Sequence, residues 1–197
     1  MSARVRLLKN LDVPKLSAAD PELVERLETL YRRPGFMIRR CHQFTVSIFV
    51  RECAAFGLTT SQFGVLYIAS CCPGVTQIGL SGLIGLDRST TNAVALRLMR
   101  NGYLARRAHP SDARKQCLHA TLAGTKLLAS VQDAIKRAAD AFLDPLDSRE
   151  RKSFLACLAK LVDHHNAEAR APLIAPKRLD SGAARRTDHH STSGARA

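Results

Sequence analysis

The sequence predicts a mainly α-helical fold carrying one small β-hairpin, and three observations predict it. Apolar residues recur at helical spacing along most of the chain between Leu23 and Val162. Helix-starting Asp or Thr and helix-stopping Gly or Pro fall at the ends of those periodic stretches. One stretch, Tyr103 to Leu118, breaks the pattern and carries turn formers at its centre.

Residues 1–19 show no clear period and are expected to form an N-terminal arm. Asp20-Pro21-Glu22 then starts a helix, with Asp20 as N-cap, Pro21 in the first turn and an acid beside the positive end of the helix dipole. It runs through Leu23, Leu27 and Leu30 to about Arg33, where Pro34-Gly35 breaks it. A longer helix is expected from about Phe36 to Phe56, ended by Gly57. It bears two apolar stripes: Met37, Cys41, Phe44 and Ile48, and Ile38, Thr45, Phe49, Cys53 and Phe56. A surface helix needs one stripe. Two imply packing on its own domain and on a second subunit.

Three shorter helices come next. Thr59 or Thr60 caps the first, which carries Phe63, Leu66, Tyr67 and Ile68 and stops at Pro73-Gly74. Thr76 caps the second, with Ile78, Leu80, Leu83 and Ile84 inward. Gly85 turns the chain, and Asp87 caps the third, which places Val94 and Leu98 inside and ends near Asn101-Gly102. Two such helices joined through a short Gly-containing turn form a helix-turn-helix. Tyr103–Arg107 and Gln116–Leu118 read as strands on either side of a basic loop, His109–Lys115, so the expected architecture is a winged helix-turn-helix with long flanking helices.

Thr121 starts another long helix, with Leu127, Leu128, Val131, Ile135, Ala138, Ala139 and Phe142 at helical spacing up to Pro145. Asp147 or Ser148 caps the last, whose inner stripe is Phe154, Leu155, Leu158, Leu161 and Val162. The expected organisation is an arm over 1–19, N-terminal helices over 20–57 and a winged helix-turn-helix over 58–120. C-terminal helices follow over 121–170, and a disordered basic tail over 171–197, where apolar periodicity is lost.

The 197 residues hold 30 Lys and Arg against 17 Asp and Glu, a net charge of +13. Such a field attracts polyanions, whether DNA, RNA or an acidic membrane surface. No run of about 18 uncharged apolar residues predicts a membrane span, and the N-terminus lacks the apolar core of a secretory signal. A cytoplasmic protein is expected. The cysteines at 41, 53, 71, 72, 117 and 157 form no C-x-x-C pair, and His164-His165 and His189-His190 lack companions at ligand spacing. Reduced, mostly buried thiols are expected, with no metal or other cofactor. No Gly-rich phosphate loop, nucleophile elbow or inward pair of carboxylates points to an enzyme.

Four stretches stand in a telling order. Leu58-Thr59-Thr60-Ser61-Gln62-Phe63-Gly64-Val65-Leu66 opens the first short helix, and Gly85-Leu86-Asp87-Arg88-Ser89-Thr90-Thr91 enters the third. Arg97-Leu98 precedes Asn101-Gly102-Tyr103-Leu104, and Asp112-Ala113-Arg114 lies in the hairpin ahead of Thr121 and Gly124. In that order and spacing they resemble the MarR family of bacterial transcription regulators, over about residues 36–165. Where family members often carry Asp-Arg-Arg, this chain has Asp112-Ala113-Arg114, and Ala120 stands where Leu is usual.

The resemblance implies a homodimer that binds double-stranded DNA, with the helix from Asp87 to Asn101 in the major groove. Its first side chains are Arg88, Ser89, Thr90, Thr91 and Asn92. Arg suits guanine or phosphate, Asn suits adenine, and Ser or Thr suits either. Ser89 and Thr90 are also ordinary helix-start residues. In the wing, Arg114 is implied to reach the minor groove or its phosphates, oriented by Asp112. Arg106, Arg107 and Lys115 read as phosphate contacts or solvated charge, and Arg97 suits either a DNA contact or an internal ion pair. A dimer built from the N-terminal and last two helices sets two reading helices roughly 34 Å apart, which implies a near-palindromic operator. Repression is the mode implied.

Family ligands sit between the dimerisation helices and the winged domain, and Arg33 to Gln43 resembles members controlling aromatic-acid catabolism. The candidate ligand set is Arg39, Arg40, His42 and Arg51 with Phe63 and Tyr67, cations beside apolar walls that suit a small aromatic carboxylate. A buried histidine satisfied by backbone is the other reading of His42. Two alternatives remain: redox sensing through Cys41, set among Arg39, Arg40 and His42, and a non-specific architectural DNA-binding protein, which leaves the flanking helices unexplained.

Overall fold

The structure, a computed structural model, describes residues 21–109 and 112–174. The expected arm, the Asp20 cap and residues 175–197 lie outside the described residues. The chain begins with α1 (Pro21–Tyr31) and α2 (Pro34–Glu52), then a 3-10 turn over Ala54–Phe56. Pro34 sits in the first turn of α2, where its missing N–H removes no helical bond. The helix ends at Glu52 rather than at Phe56. Gly57, at φ +62°, closes the 3-10 turn instead of the helix.

The helix-turn-helix follows the sequence closely. Thr59 and Gln62 form a reciprocal cap for α3 (Thr60–Cys71), each side chain bonding the other's backbone N–H. Thr76 accepts from the Gly79 N–H to start α4 (Gln77–Ile84), and Gly85 takes φ +67° at its end. Asp87 caps α5 (Arg88–Arg100) by accepting from the Thr90 N–H. Each cap satisfies an N–H that the first helical turn otherwise leaves unpaired.

A three-stranded antiparallel sheet in the order β1-β3-β2 completes the domain, from β1 (Val75–Thr76), β2 (Leu104–His109) and β3 (Asp112–Ala120). Two features differ from expectation. Strand β1 pairs Val75 with Leu118 and Thr76 with Cys117, a strand too short to show any period. The hairpin strands also run further than expected. Pairing holds register from Leu104 opposite Ala120 to Ala108 opposite Gln116, then shifts so that His109 faces Asp112. Ala113, Arg114 and Lys115 are thus extra residues within β3 and not part of a loop.

Two long helices follow, α6 (Leu122–Leu143), capped by Thr121, and α7 (Ser148–His165), capped by Asp147 with Glu150 in return. Leu66, Leu80, Leu98, Leu118, Val65 and Val131 are fully buried where α3, α4, α5, β3 and α6 meet. Phe49 of α2 and Cys53 just after it join the same cluster beside Leu128, Val131 and Ala134 of α6. The last helix departs from expectation: α7 buries no residue, and Leu155, Leu161 and Val162 of its apolar stripe are exposed. Val24, Leu30 and Tyr31 of α1 and Met37, Ile38 and Phe44 of α2 are exposed as well.

The cysteines also need correction. All six are free, but only Cys53 and Cys117 are buried, whereas Cys71, Cys72 and Cys157 are exposed. Cys71 and Cys72 lie at the solvent end of α3 and Cys157 lies on α7. Burial pushes the Cys53 thiol up, with the Glu52 carboxylate adding to it.

Two interactions hold the long helices in place, one joining α6 to the winged domain and one joining α2 to α6, and each gives a test. A Cβ on buried Gly124 would overlap the Tyr103 carbonyl oxygen and meet Leu66 Cδ1 at 3.1 Å. Gly124→Ala should therefore lower stability by about 1–3 kcal/mol in thermal or urea unfolding, although Ala is the better helix former. Between α2 and α6, Glu52 bonds Arg51 at 3.0 Å and Arg137 at 3.2 Å, which holds its carboxyl below the usual 4.5. A lowered folded-state pKa contributes stability that is complete above 4.5 and lost as pH falls through the folded value. Glu52→Gln should lower the melting temperature by a few degrees at neutral pH, and the difference should close on acidification below 4.5.

Candidate nucleic-acid interface and effector site

The start of α5 is built around one carboxylate. Asp87 accepts from the Ser89 hydroxyl at 2.6 Å, the Thr90 N–H at 2.9 Å and the Thr90 hydroxyl at 2.8 Å. These bonds, the Ser89 hydroxyl first, hold its carboxyl well below the usual range. Both hydroxyl protons therefore point at Asp87. Ser89 and Thr90 offer outward lone pairs, which suit a base amino group, and a phosphate oxygen gains no proton from them unless Asp87 releases it.

The five expected reading residues separate. Arg88 and Ser89 are exposed, and Thr90 and Asn92 are partly exposed. Thr91 is fully buried, its hydroxyl turned toward the Leu86 carbonyl at 3.5 Å. This corrects the expectation for Thr91, which belongs with Ala95 and Leu98 on the inner face of α5. Sequence reasoning missed Ala93 and Leu96, both exposed on the outer face, one turn or two beyond Ser89. The i, i+4 step from Ser89 to Ala93 signals this face, and a small apolar side chain there suits a thymine methyl group. Arg97 and Arg100 continue it as exposed cations, and among the described residues no carboxylate pairs with Arg97.

In the wing, Arg106 and Arg107 are exposed on β2. Arg106 and Gln116 share a cleft of about 360 Å³ with Thr76, Gln77 and Ile78, so this cation faces the start of α4. The backbones of Asp112, Arg114 and Lys115 lie in β3, and their side chains are outside the described residues.

The six expected effector residues fall into separate groups within one chain. Phe63 and Tyr67 of α3 form a ring cluster with Phe49 of α2, at centroid separations of 5.7 and 6.2 Å from Phe63. His42 is exposed two turns before Phe49 on the same side of α2, so it is not a buried histidine. Arg39 lies over the Phe36 ring at 4.9 Å and Arg40 over Phe44 at 4.6 Å. Those arginines line a cleft of about 710 Å³ with Tyr31, Phe36, Met37 and Phe44. Arg51 is already paired with Glu52. Cys41 is half-buried, and the two arginines expected around it are engaged by aromatic rings.

This arrangement defines a winged-helix DNA-binding protein. The sequence model of the MarR family matches residues 58–115. A transcriptional regulatory protein for the hcr operon of Thauera aromatica is 31% identical over 132 residues, 64% of this chain and 77% of the relative. Among solved structures, Bordetella bronchiseptica BpsR, whose DNA binding is regulated by 6-hydroxynicotinic acid, superposes with a TM-score of 0.65 at 25% identity, over 68% of this chain and 95% of its own. The transcriptional repressor CouR bound to a 23-mer DNA duplex does so with a TM-score of 0.65 at 26% identity, over 69% and 96%. The chain belongs to the MarR family and is a transcriptional regulator, not an enzyme. No helix among the described residues is long and apolar enough to cross a membrane.

The outer and inner faces of α5 should respond differently to substitution. Arg88→Ala should weaken binding to the cognate DNA by about tenfold or more with an unchanged melting temperature, a loss in the range of one good base or phosphate contact. Thr91→Ala should lower the melting temperature and leave base preference intact. Fluorescence anisotropy and thermal melts of both variants check this.

Proposed function

We propose that the chain is a homodimeric repressor that holds a near-palindromic operator and leaves it on binding a small aromatic carboxylate. The observation that carries this reading is where apolar surface remains exposed. Much of it lies on α1, α2 and α7, helices outside the winged domain: Leu30, Met37, Phe44, Leu155, Leu161 and Val162 among them. Apolar side chains left open on helices that the winged domain does not need suit a subunit interface, and a second copy that covers them also sets two α5 helices for one palindrome.

Arg88, Ser89, Asn92 and Ala93 then face base edges or phosphates from the major groove. Arg106, Arg114 and Lys115 supply wing contacts. Similarity to CouR, a DNA-bound repressor, supports repression, and similarity to BpsR supports an aromatic acid as effector. The proposed effector site lies on the α2 face carrying Arg39, His42 and Phe49, which leads to Phe63 and Tyr67 of α3. Arg39 takes the carboxylate, His42 offers a ring nitrogen to it, and the rings take the aromatic body.

The test is binding to the DNA upstream of the chain's own gene, at near-physiological salt with excess competitor, while aromatic acids including 6-hydroxynicotinate are added. The expected result is competitor-resistant binding that one acid releases, by a particle of twice the 21.6 kDa chain mass in light scattering. In that background His42→Ala should raise the acid concentration needed for release about tenfold or more, with DNA affinity unchanged. Binding that competitor abolishes and no acid alters would overturn the reading in favour of an architectural protein.

A further inference from the structure

Beyond α7 the chain does not leave the molecule where the sequence suggests. Residues 171–174, expected to open a disordered tail, are seated on the helix-turn-helix. A 3-10 turn over Asn166–Glu168 follows α7. Asn166 clasps Leu173 with two hydrogen bonds, its amide nitrogen donating to the Leu173 carbonyl and its amide oxygen accepting from the Leu173 N–H, each 2.8 Å. The Ile174 N–H donates to the Gly82 carbonyl at 2.7 Å. Gly82 lies in the last turn of α4, where carbonyls lack helical partners, so this bond satisfies a group the helix leaves open. Only glycine fits there, because a Cβ on Gly82 would overlap the Ile174 side chain.

The Asn166–Leu173 clasp closes a short loop, and Arg170 stands at its middle, exposed. The carbonyl oxygen of the next residue, Ala171, lies 3.6 Å from where a Cβ on Gly85 would stand, and Leu173 Cδ1 lies at 3.5 Å. Gly85 precedes Asp87, the cap of α5, by two residues. The loop thus sets Arg170 down beside the start of the reading helix. Asp87 registers that charge: the Ser89 hydroxyl and the Thr90 N–H and hydroxyl hold its carboxyl well below the usual range, and Arg170 adds to them. Yet Asp87 gives its hydrogen bonds to Ser89 and Thr90, and among the described residues no carboxylate pairs with Arg170. Its guanidinium donors stay open to an external anion, and the closed loop lowers the cost of ordering it there. Arg88 and Arg170 together set two positive charges against the one carboxylate.

We infer that Arg170 is a DNA-backbone contact, carried by the loop 166–174 to the phosphates beside the start of α5, where it works alongside Arg88. The inference rests on the reading of α5 as the helix that enters the major groove. A guanidinium is suited to the role because its planar fork matches two phosphate oxygens at once.

Anisotropy over a salt series, on the duplex upstream of the chain's own gene, tests the contact in full-length proteins. Arg170→Gln should bind about threefold to tenfold more weakly near ~0.1 M salt, with an unchanged melting temperature. Its salt slope should fall by about 0.9 per half-site, the counterion release of one phosphate. Arg170→Lys should keep that slope. Arg149→Gln removes the same charge from the first turn of α7, at the other end of the 22-residue α6 and about 33 Å from the winged domain, and should move neither quantity. Asn166→Ala opens the clasp with the charge kept and should lose part of the affinity. Combined with Arg170→Gln it should cost nothing further, because both act through one contact. Full affinity and slope in Arg170→Gln overturn the proposal, as does a loss that Arg149→Gln matches. Additive losses in the double variant overturn the loop's part in it. A full chain that binds no duplex would instead bring down the regulator reading, and this contact with it.

Discussion

Four hydrogen bonds around Tyr103 tie the reading helix to the helix that leaves the domain. The Tyr103 N–H closes the end of α5 on the Leu98 carbonyl, and the Thr121 N–H donates to the Tyr103 carbonyl at 3.0 Å. The Thr121 hydroxyl donates to the Gly102 carbonyl at 2.6 Å while accepting from the Gly124 N–H. The end of α5, both hairpin strands and the first turn of α6 meet within these few residues. Gly124 makes the approach possible, because any side chain there would enter the Tyr103 carbonyl. α6 and α5 are thereby joined by a bonded corner and not by a free linker. Under the proposed function that corner is the route by which an event on the long helices reaches α5.

The same economy appears at the other end of α5. One carboxylate, Asp87, is the helix cap, the acceptor for two hydroxyls and the neighbour of the Arg170 charge. Under the proposed function α5 starts against DNA, where a negative charge repels phosphate, so an ionised Asp87 there needs a reason. The bonds supply it: the carboxylate stays ionised because its protons come from Ser89 and Thr90, and it fixes those hydroxyls with lone pairs outward. In that reading the surface offered to a base is oriented before contact, and Arg88 beside it supplies a cation for the backbone.

What could be read from the sequence was what is local. Thr59, Thr76, Asp87, Thr121 and Asp147 cap helices as expected because each cap bond spans two or three residues. Gly85 likewise stops its helix through its own φ. The misses depend on distant partners. Strand β1 exists because Leu118 and Cys117 pair with it from far along the chain. The seating of 171–174 depends on Gly82 in α4, where any Cβ would overlap Ile174, and Pro172 and Ala171 show no period that could announce it. Thr91 is different: its place on the inner face was available, since it precedes Leu98 by seven residues and Ala95 by four. Its hydroxyl suggested DNA, whereas its position in the helix put it in the core.

The distribution of buried surface bears on how an effector would act. Phe49 is the point where α2 enters the core, and it touches both the α6 cluster and the ring of Phe63 on α3. A ligand bound along the α2 face above Phe49 contacts the seam between the flanking helices and the winged domain, not the DNA-reading surface. It can shift the protein only if it binds one setting of that seam better than the other. The Glu52–Arg137 bond lies one turn beyond Phe49 and links α2 to α6, within the flanking helices, through partly exposed charge. Exposed ion pairs are weak and exchange partners readily, whereas the packing of Val131 and Ala134 against Phe49 is tight. Under the proposed function the apolar contact keeps α2 and α6 together while the ion pair yields. The hydrogen bonds around Tyr103 then carry any change in their angle to α5.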